Sequence, residues 1–385
     1  MATTKPLNSE EMDGREIYTR RSSPRTEFLS QGPRGLTEYF LTVLEQQLRE
    51  TLGYGTSPCG DYRRLLYYHM GWEDLGQPPC VPGKRIRSLL CLLSAAASGG
   101  DWHIALPFAA SVELLHNFCL VHDDIQDRSP LRRGRATLWQ VCGTAQAINA
   151  GDALFAHAQS ALQHASDLPC ETRLMALEIL NNACFDLAQG QFLDLAFEHE
   201  PDVPVERYLA MAERKTGALL AAAAELGSLA ADAPMEVRAH YRAFGMHLGL
   251  AFQIRDDVLD IWGDASSTGK ATMTDIKRRK KTLPVIYGTS GSAAVRQAYD
   301  SQDGGCGDAL SIVRLLEASH ARTHAEAEGS RQAALALGHL ANAHPQGVPG
   351  EALHALALNV LGLHQDRERA RGQVFGHALS SGEDR

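Results

Sequence analysis

No stretch of this chain alternates apolar and polar residues over the lengths that strands need, and proline is sparse through its middle. Sheet architectures are therefore set aside, and the abundance of alanine and leucine predicts an all-α protein. The eight cysteines (Cys59, Cys80, Cys91, Cys119, Cys142, Cys170, Cys184 and Cys306) contain no C-x-x-C pair and sit mostly among apolar neighbours. That pattern argues against a structural zinc site and fits reduced, buried thiols in a cytoplasmic protein. The longest apolar runs, Ser88 to Ser98 and Ala218 to Leu226, are too short or too alanine-rich to span a bilayer. The first residues offer T-R-R-S-S-P-R-T in place of an apolar h-region, so no secretory signal is expected. Positive charge is not in excess either: the formal net charge is -9, which argues against general nucleic-acid binding. No Ser/His or Cys/His arrangement suggests a protein nucleophile.

What the chain does contain is a stretch from Glu113 to Thr137, E-L-L-H-N-F-C-L-V-H-D-D-I-Q-D-R-S-P-L-R-R-G-R-A-T. Asp123, Asp124 and Asp127 follow a run of apolar residues that belongs in an interior. On a helix Asp123 and Asp127 share one face, with Asp124 beside them. Three such carboxylates repel one another and lose hydration, so a cationic partner is required. The D-D-x-x-D spacing recurs at Asp256, Asp257 and Asp260, again on an apolar helical background. Two facing helices of this kind would surround one cavity with carboxylates. Magnesium takes one or two carboxylates per ion and completes its octahedron with water and phosphate oxygens, so a diphosphate held through magnesium is the ligand expected.

In chain order, residues 1–33 are polar and aperiodic and read as a flexible tail, and residues 34–372 read as one helical domain without an internal linker. Residues 373–385 read as a frayed end. A helix is predicted over Leu36 to Leu52, closed by Gly53, followed by a Gly/Pro-rich connection. P-G-K-R-I-R-S-L-L then opens a helix with Lys84 and Arg87 near its start, where the macrodipole disfavours cations unless an anion is bound. His116 lies seven residues before Asp123, about two turns of helix. Ser129 and Pro130 end that helix, and Arg132, Arg133 and Arg135 follow on a loop, where guanidinium groups can clamp phosphate oxygens. Lys215 and Thr216 open an apolar run. After the second Asp cluster comes D-A-S-S-T-G-K-A-T-M-T-D-I-K-R-R-K-K-T-L-P, a basic segment with Lys270 and Lys280 that suggests a lid over phosphates.

Taken together, G-K-R-I-R (83–87), H-D-D-I-Q-D (122–127), L-R-R-G (131–134), G-Q-F-L-D (190–194), K-T (215–216), F-Q-I-R-D-D-V-L-D (252–260) and G-K before K-K-T-L-P resemble the trans-isoprenyl diphosphate (polyprenyl) synthases. The resemblance spans roughly residues 34 to 370. It implies the isoprenoid synthase fold, a bundle of long antiparallel helices around a central cavity, and a homodimer. It further implies that Asp123, Asp124, Asp127, Asp256, Asp257 and Asp260 coordinate three magnesium ions on an allylic diphosphate (dimethylallyl, geranyl or farnesyl). Arg132, Lys215, Thr216, Gln253, Lys270 and Lys280 would contact that substrate, and Lys84, Arg87, His116 and Arg133 would bind isopentenyl diphosphate.

Product length, by the same resemblance, depends on the fourth and fifth residues before the first Asp, here Cys119 and Phe118. One aromatic at the fifth position without a two-residue insertion resembles geranylgeranyl diphosphate synthases and implies a C20 product. Farnesyl and longer-chain (C25 to C30 or more) synthases are the rivals on the same chemistry. A terpene cyclase would not need the isopentenyl-binding residues, and a non-catalytic partner subunit would be expected to have lost carboxylates. Met273 and Arg279 depart from the pattern, since relatives often carry glycine there.

Overall fold

The computed structural model describes residues 32–53, 60–78, 83–263, 273–300 and 306–363. Apart from Gly32 and Pro33, the predicted tails lie outside them, as do residues 264–272 of the basic segment, Lys270 among them. Among the described residues the protein is helical except for one two-stranded hairpin. Helix α1 (Gly32–Gly53) buries Leu36, Phe40, Leu44, Leu48 and Leu52, a stripe of i, i+4 steps. The predicted connection after it contains a further helix, α2 (Gly60–Met70). Its sequence D-Y-R-R-L-L-Y-Y-H-M has no clean helical period, and tertiary bonds hold it: Tyr62 Oη donates to the Asn149 carbonyl (2.8 Å) and Tyr68 Oη to that of Ala136 (2.6 Å).

Helix α3 (Ile86–Ala97) is nearly all buried. A 3-10 turn, Trp102–Ala105, capped by the Asp101 side chain, leads into α4 (Leu106–Gln126), which has proline in its first turn. The segment Trp102–Gln126 is long and apolar enough to cross a membrane, yet 72% of its apolar window is buried within the protein. A core helix passes the same test, and this one packs along α5 (Leu138–Gln163). Strands β1 (Leu131–Arg132) and β2 (Arg135–Ala136) lie between them, paired antiparallel.

Helices α6 (Cys170–Phe197), α7 (Val205–Ala212), α8 (Ala218–Ala230) and α9 (Met235–Trp262) follow, with a π-turn, Glu213–Gly217, between α7 and α8. Short helices α10 (Thr274–Lys277), α11 (Leu283–Gly291) and α12 (Ala293–Asp300) precede α13 (Cys306–Ala318), α14 (Ala321–Asn342) and α15 (Gly347–Leu361). Helix α9 packs between α8 and α14, and α3 between α8 and α15, around one large apolar core. This arrangement brings the C-terminal ends of α4 and α9, which carry the two Asp motifs, to one side of the bundle. Helix C-termini are the negative ends of their dipoles, so both motifs add charge where it is already unfavourable.

Candidate active site

The six carboxylates are not equivalent. Asp124 is buried and accepts a fork from Arg132, whose Nε (2.8 Å) and Nη2 (2.8 Å) reach its two oxygens. Asp257, also buried, accepts from Tyr208 Oη (2.6 Å) and the Leu283 amide (3.0 Å) at one oxygen and from Gln253 Nε2 (2.9 Å) at the other. Asp260 accepts from Thr274 Oγ1 (2.7 Å) and the Asp275 amide (2.9 Å). By contrast no side chain or amide among the described residues donates to the Asp123 carboxylate, and Asp127 Oδ1 is buried without a partner. Burial, then the neighbouring Asp127 and Asp124, against the pull of Lys215 and Arg132, push the Asp123 carboxyl up to about 6. An orphaned buried carboxylate oxygen one turn from a strained carboxylate is a hard, anionic donor set that fits a magnesium ion. No three His, Cys, Asp or Glu side chains converge at metal-binding spacing among the described residues, so such an ion would need water or substrate oxygens as well.

The two motifs face each other across a bridge of two lysines and one more aspartate. Lys215 Nζ donates to Asp194 Oδ2 at 2.6 Å and Lys280 Nζ to the same atom at 3.3 Å. Lys215 is an electrostatic neighbour of Asp123, and Lys280 of Asp127 and Asp275. Burial alone would raise Asp194, but the two ammonium groups outweigh it and hold the carboxyl below its ordinary range. Burial would likewise lower Lys280, and Asp194, Asp127 and Asp275 hold it above the usual lysine range instead. Lys215 and Thr216 sit in the π-turn, a widened coil that packs against α6. Glycine makes that possible: a Cβ on Gly190 would lie 2.3 Å from the Lys215 amide nitrogen, so only glycine lets α6 come this close.

Thr216 Oγ1 donates to Gln253 Oε1 (2.7 Å), and Gln253 passes the chain on to Asp257. Burial, partly offset by the Tyr208 bond, pushes Asp257 up to about 7. Burial and Asp260 push Asp275 up to about 6. A cavity of about 50 Å³ opens between Asp194, Lys215, Gln253, Asp257, Asp275 and Lys280. Asp275 and Tyr208 were not singled out in the sequence. Asp275 follows Asp260 by fifteen residues, and no spacing rule joins them until α10 folds back on α9. Met273 and Arg279 adopt left-handed backbone (φ 59° and 56°), which explains why glycine suits both positions.

On the other side of α4, the G-K-R-I-R segment differs from its expected form: α3 begins at Ile86, so Lys84 precedes the helix. Arg85 is left-handed (φ 49°) and buried, donating to Glu45 (2.8 Å), Glu113 (3.0 Å) and the Met70 carbonyl (3.2 Å). Arg87 Nη1 lies 3.2 Å from His116 Nε2. The guanidinium donates, so His116 accepts as neutral imidazole, and burial and Arg87 keep it well below the usual histidine range. L-R-R-G-R forms the hairpin, with both turn residues, Arg133 and Gly134, at positive φ as a two-residue connection demands. The Arg133 guanidinium rests on Gly83, where a Cβ would come within 2.5 Å of Nη2. Lys84, Arg87, His116 and Arg133 are thus brought into one neighbourhood, while Lys270 falls outside the described residues.

Below the first motif, Phe118 stacks edge-on to His122 (4.7 Å between centroids) and meets Phe155 of α5 at 5.4 Å. Cys119 shares the face of Asp123, and burial, Asp123 and Cys184 of α6 raise its thiol pKa.

The family profile described as Polyprenyl synthetase matches residues 75–313. A Mycobacterium tuberculosis protein named (2E,6E)-farnesyl diphosphate synthase is 41% identical over 311 residues, covering 77% of this chain and 83% of its own. A geranylgeranyl diphosphate synthase of the same organism is 45% identical over 221 residues, covering 57% of this chain and 63% of its own. Among solved structures, the polyprenyl synthetase from Streptomyces coelicolor superposes with a TM-score of 0.77 at 34% identity, over 84% of this chain and 98% of that one. A profile match over more than half the sequence, the shared all-α isoprenoid synthase fold and the paired Asp motifs agree: the chain belongs to the polyprenyl synthetase family, the trans-prenyl diphosphate synthases.

Proposed function

We propose that this trans-prenyltransferase condenses isopentenyl diphosphate with an allylic diphosphate and releases geranylgeranyl diphosphate (C20). The carrying observation is the pair of unlike carboxylate sets: Asp123 and Asp127 left without protein partners, and Asp124, Asp257 and Asp260 spent on holding Arg132, Gln253 and α10. Asp123 and Asp127, with Asp256 as the first carboxylate of the second motif, would hold magnesium. When bound, that ion neutralises the allylic diphosphate and stabilises charge on the departing pyrophosphate.

Lys215 and Lys280 leave Asp194 for the diphosphate, and Arg132, held in its fork by Asp124, presents its remaining N–H groups to it. The allylic C–O bond breaks with its electron pair going to the pyrophosphate. The isopentenyl double bond then attacks the cation, and loss of a proton to the pyrophosphate restores a double bond. Lys84, Arg87, His116 and Arg133 bind the second diphosphate and orient that double bond.

The C20 reading rests on Phe118, about 7.5 Å below Asp123 along α4 by helical rise, with the smaller Cys119 beside it on the Asp face. The 41% relative is named as a farnesyl diphosphate synthase, which favours C15 as the second reading. Purified protein with magnesium, labelled isopentenyl diphosphate and each of the C5, C10 and C15 starters decides: C20 as the main product is expected, and no elongation of any starter would refute the reaction. Phe118→Ala should shift the distribution by at least one C5 unit; an unchanged distribution removes Phe118 as floor.

A homodimer is proposed as well. Leu174, Phe185 and Phe192 are 61%, 67% and 70% exposed on α6, and their 11- and 7-residue spacings align them in one stripe. A two-fold copy would bury that stripe against itself. Light scattering should return twice the chain mass, and Phe185→Glu with Phe192→Glu should return the monomer mass; a monomeric wild type would dismiss the dimer.

A further inference from the structure

His69, in the last turn of α2, lies outside the segment that matches the family. Two side-chain anchors fix the residues on either side of it. Tyr68 bonds to the Ala136 carbonyl and lies 3.9 Å under the Arg135 guanidinium, so one side is tied to the arginine hairpin. The Met70 carbonyl accepts from Arg85, so the other side is tied to the G-K-R segment. The imidazole therefore stands where the hairpin and that segment meet, and Arg132, Arg133, Arg135, Arg85 and His116 are its electrostatic neighbours.

Its Nε2 is buried and makes no hydrogen bond. An unpartnered buried nitrogen is destabilising. An ordinary core histidine avoids that cost with a neighbouring carbonyl, and an apolar core does not contain four guanidinium groups. The nearby carboxylates are already engaged: Glu45 and Glu113 by Arg85, and Asp124 by Arg132. What the surroundings lack is an anion. Arg87 and His116, both expected to bind isopentenyl diphosphate, are half-buried like His69, and Arg87 Nε is buried and unpartnered too.

We propose that His69 is a further ligand of the isopentenyl diphosphate headgroup, its Nε2–H donating to a phosphate oxygen beside Arg133. This rests on the functional reading above and adds a residue from α2 to that site. Burial and then the arginines push the imidazole down to about 3, so before the headgroup arrives it is neutral and adds no fifth cation to the cluster.

The test compares wild type, His69→Leu, which has no donor, and His69→Gln, which can reach with an amide N–H. KM for isopentenyl diphosphate should rise about tenfold in His69→Leu, the worth of one hydrogen bond to a charged group, with kcat and the allylic KM within about twofold. His69→Gln should recover most of the loss, and unfolding midpoints of the three proteins should not follow KM. An unchanged isopentenyl KM in His69→Leu overturns the assignment while leaving the reaction intact. Equal rises in both KM values, or a glutamine variant as impaired as the leucine one, make His69 structural and also overturn it. A wild type that neither elongates any starter nor binds isopentenyl diphosphate by calorimetry overturns the functional reading and this assignment together.

Discussion

Asp123→Asn is expected to lower kcat about a thousand-fold, the scale of removing one preorganised electrostatic contact from a charge-separating step, or more. Asparagine keeps the volume and removes the charge, and nothing in the protein depends on that charge for a hydrogen bond. The same substitution should leave the metal-free protein at least as stable as wild type. The sign follows from the raised carboxyl: its value in the folded protein is about 6 against an ordinary 3.8, so ionised Asp123 opposes folding. The penalty is complete above about pH 6 and vanishes below the ordinary carboxylate range. Steady-state rates and denaturant midpoints at pH 7 and 4 would check both halves. A loss under tenfold would show that the unpartnered carboxylate is not where the diphosphate is held.

Glu113→Ala is expected to act in the opposite way, on the fold first. Glu113 is 2% exposed and receives Arg85 Nη1 (3.0 Å), Ser88 Oγ (2.9 Å) and Asn117 Nδ2 (3.1 Å). Its removal leaves Arg85, itself 3% exposed, with Glu45 and the Met70 carbonyl, one carboxylate where there were two. Breaking a buried pair from one side costs about 3–5 kcal/mol because the remaining charge is uncompensated. Urea unfolding should report that loss, and a change under about 1 kcal/mol would mean that water or Glu45 suffices for Arg85. The consequence reaches the site as well, since Arg85 holds the left-handed turn between Lys84 and Arg87. The isopentenyl KM should therefore rise in any Glu113→Ala protein that still folds.

Much of the site could be read from residue spacing because the chemistry is local. D-D-x-x-D places carboxylates on one helix face wherever the helix goes, and the apolar residues around it announce that the face is unusual. Arg132 and Arg133 were legible for the same reason, six and seven residues beyond the end of α4. Asp194 was visible only as part of G-Q-F-L-D. Its role as the common partner of Lys215 and Lys280 depends on α6, the π-turn and the chain before α11 meeting at one atom. Helix α2 was not legible at all, since Tyr67, Tyr68 and His69 follow no apolar period and Tyr68 is held by the Ala136 carbonyl, 68 positions away.

The amino-acid order alone therefore determined the helical class, the two acidic helix ends and the kind of ligand they require, because 3.6-residue periodicity and charge repulsion act within a few turns. Tertiary structure decided which carboxylates remain available. Asp124, Asp257 and Asp260 are engaged by Arg132, by Tyr208 with Gln253, and by Thr274, whereas Asp123 and Asp127 are not. Identical residues at identical spacing differ in role because a hydrogen-bond donor can come from any element that packs nearby, and no local pattern records which one arrives.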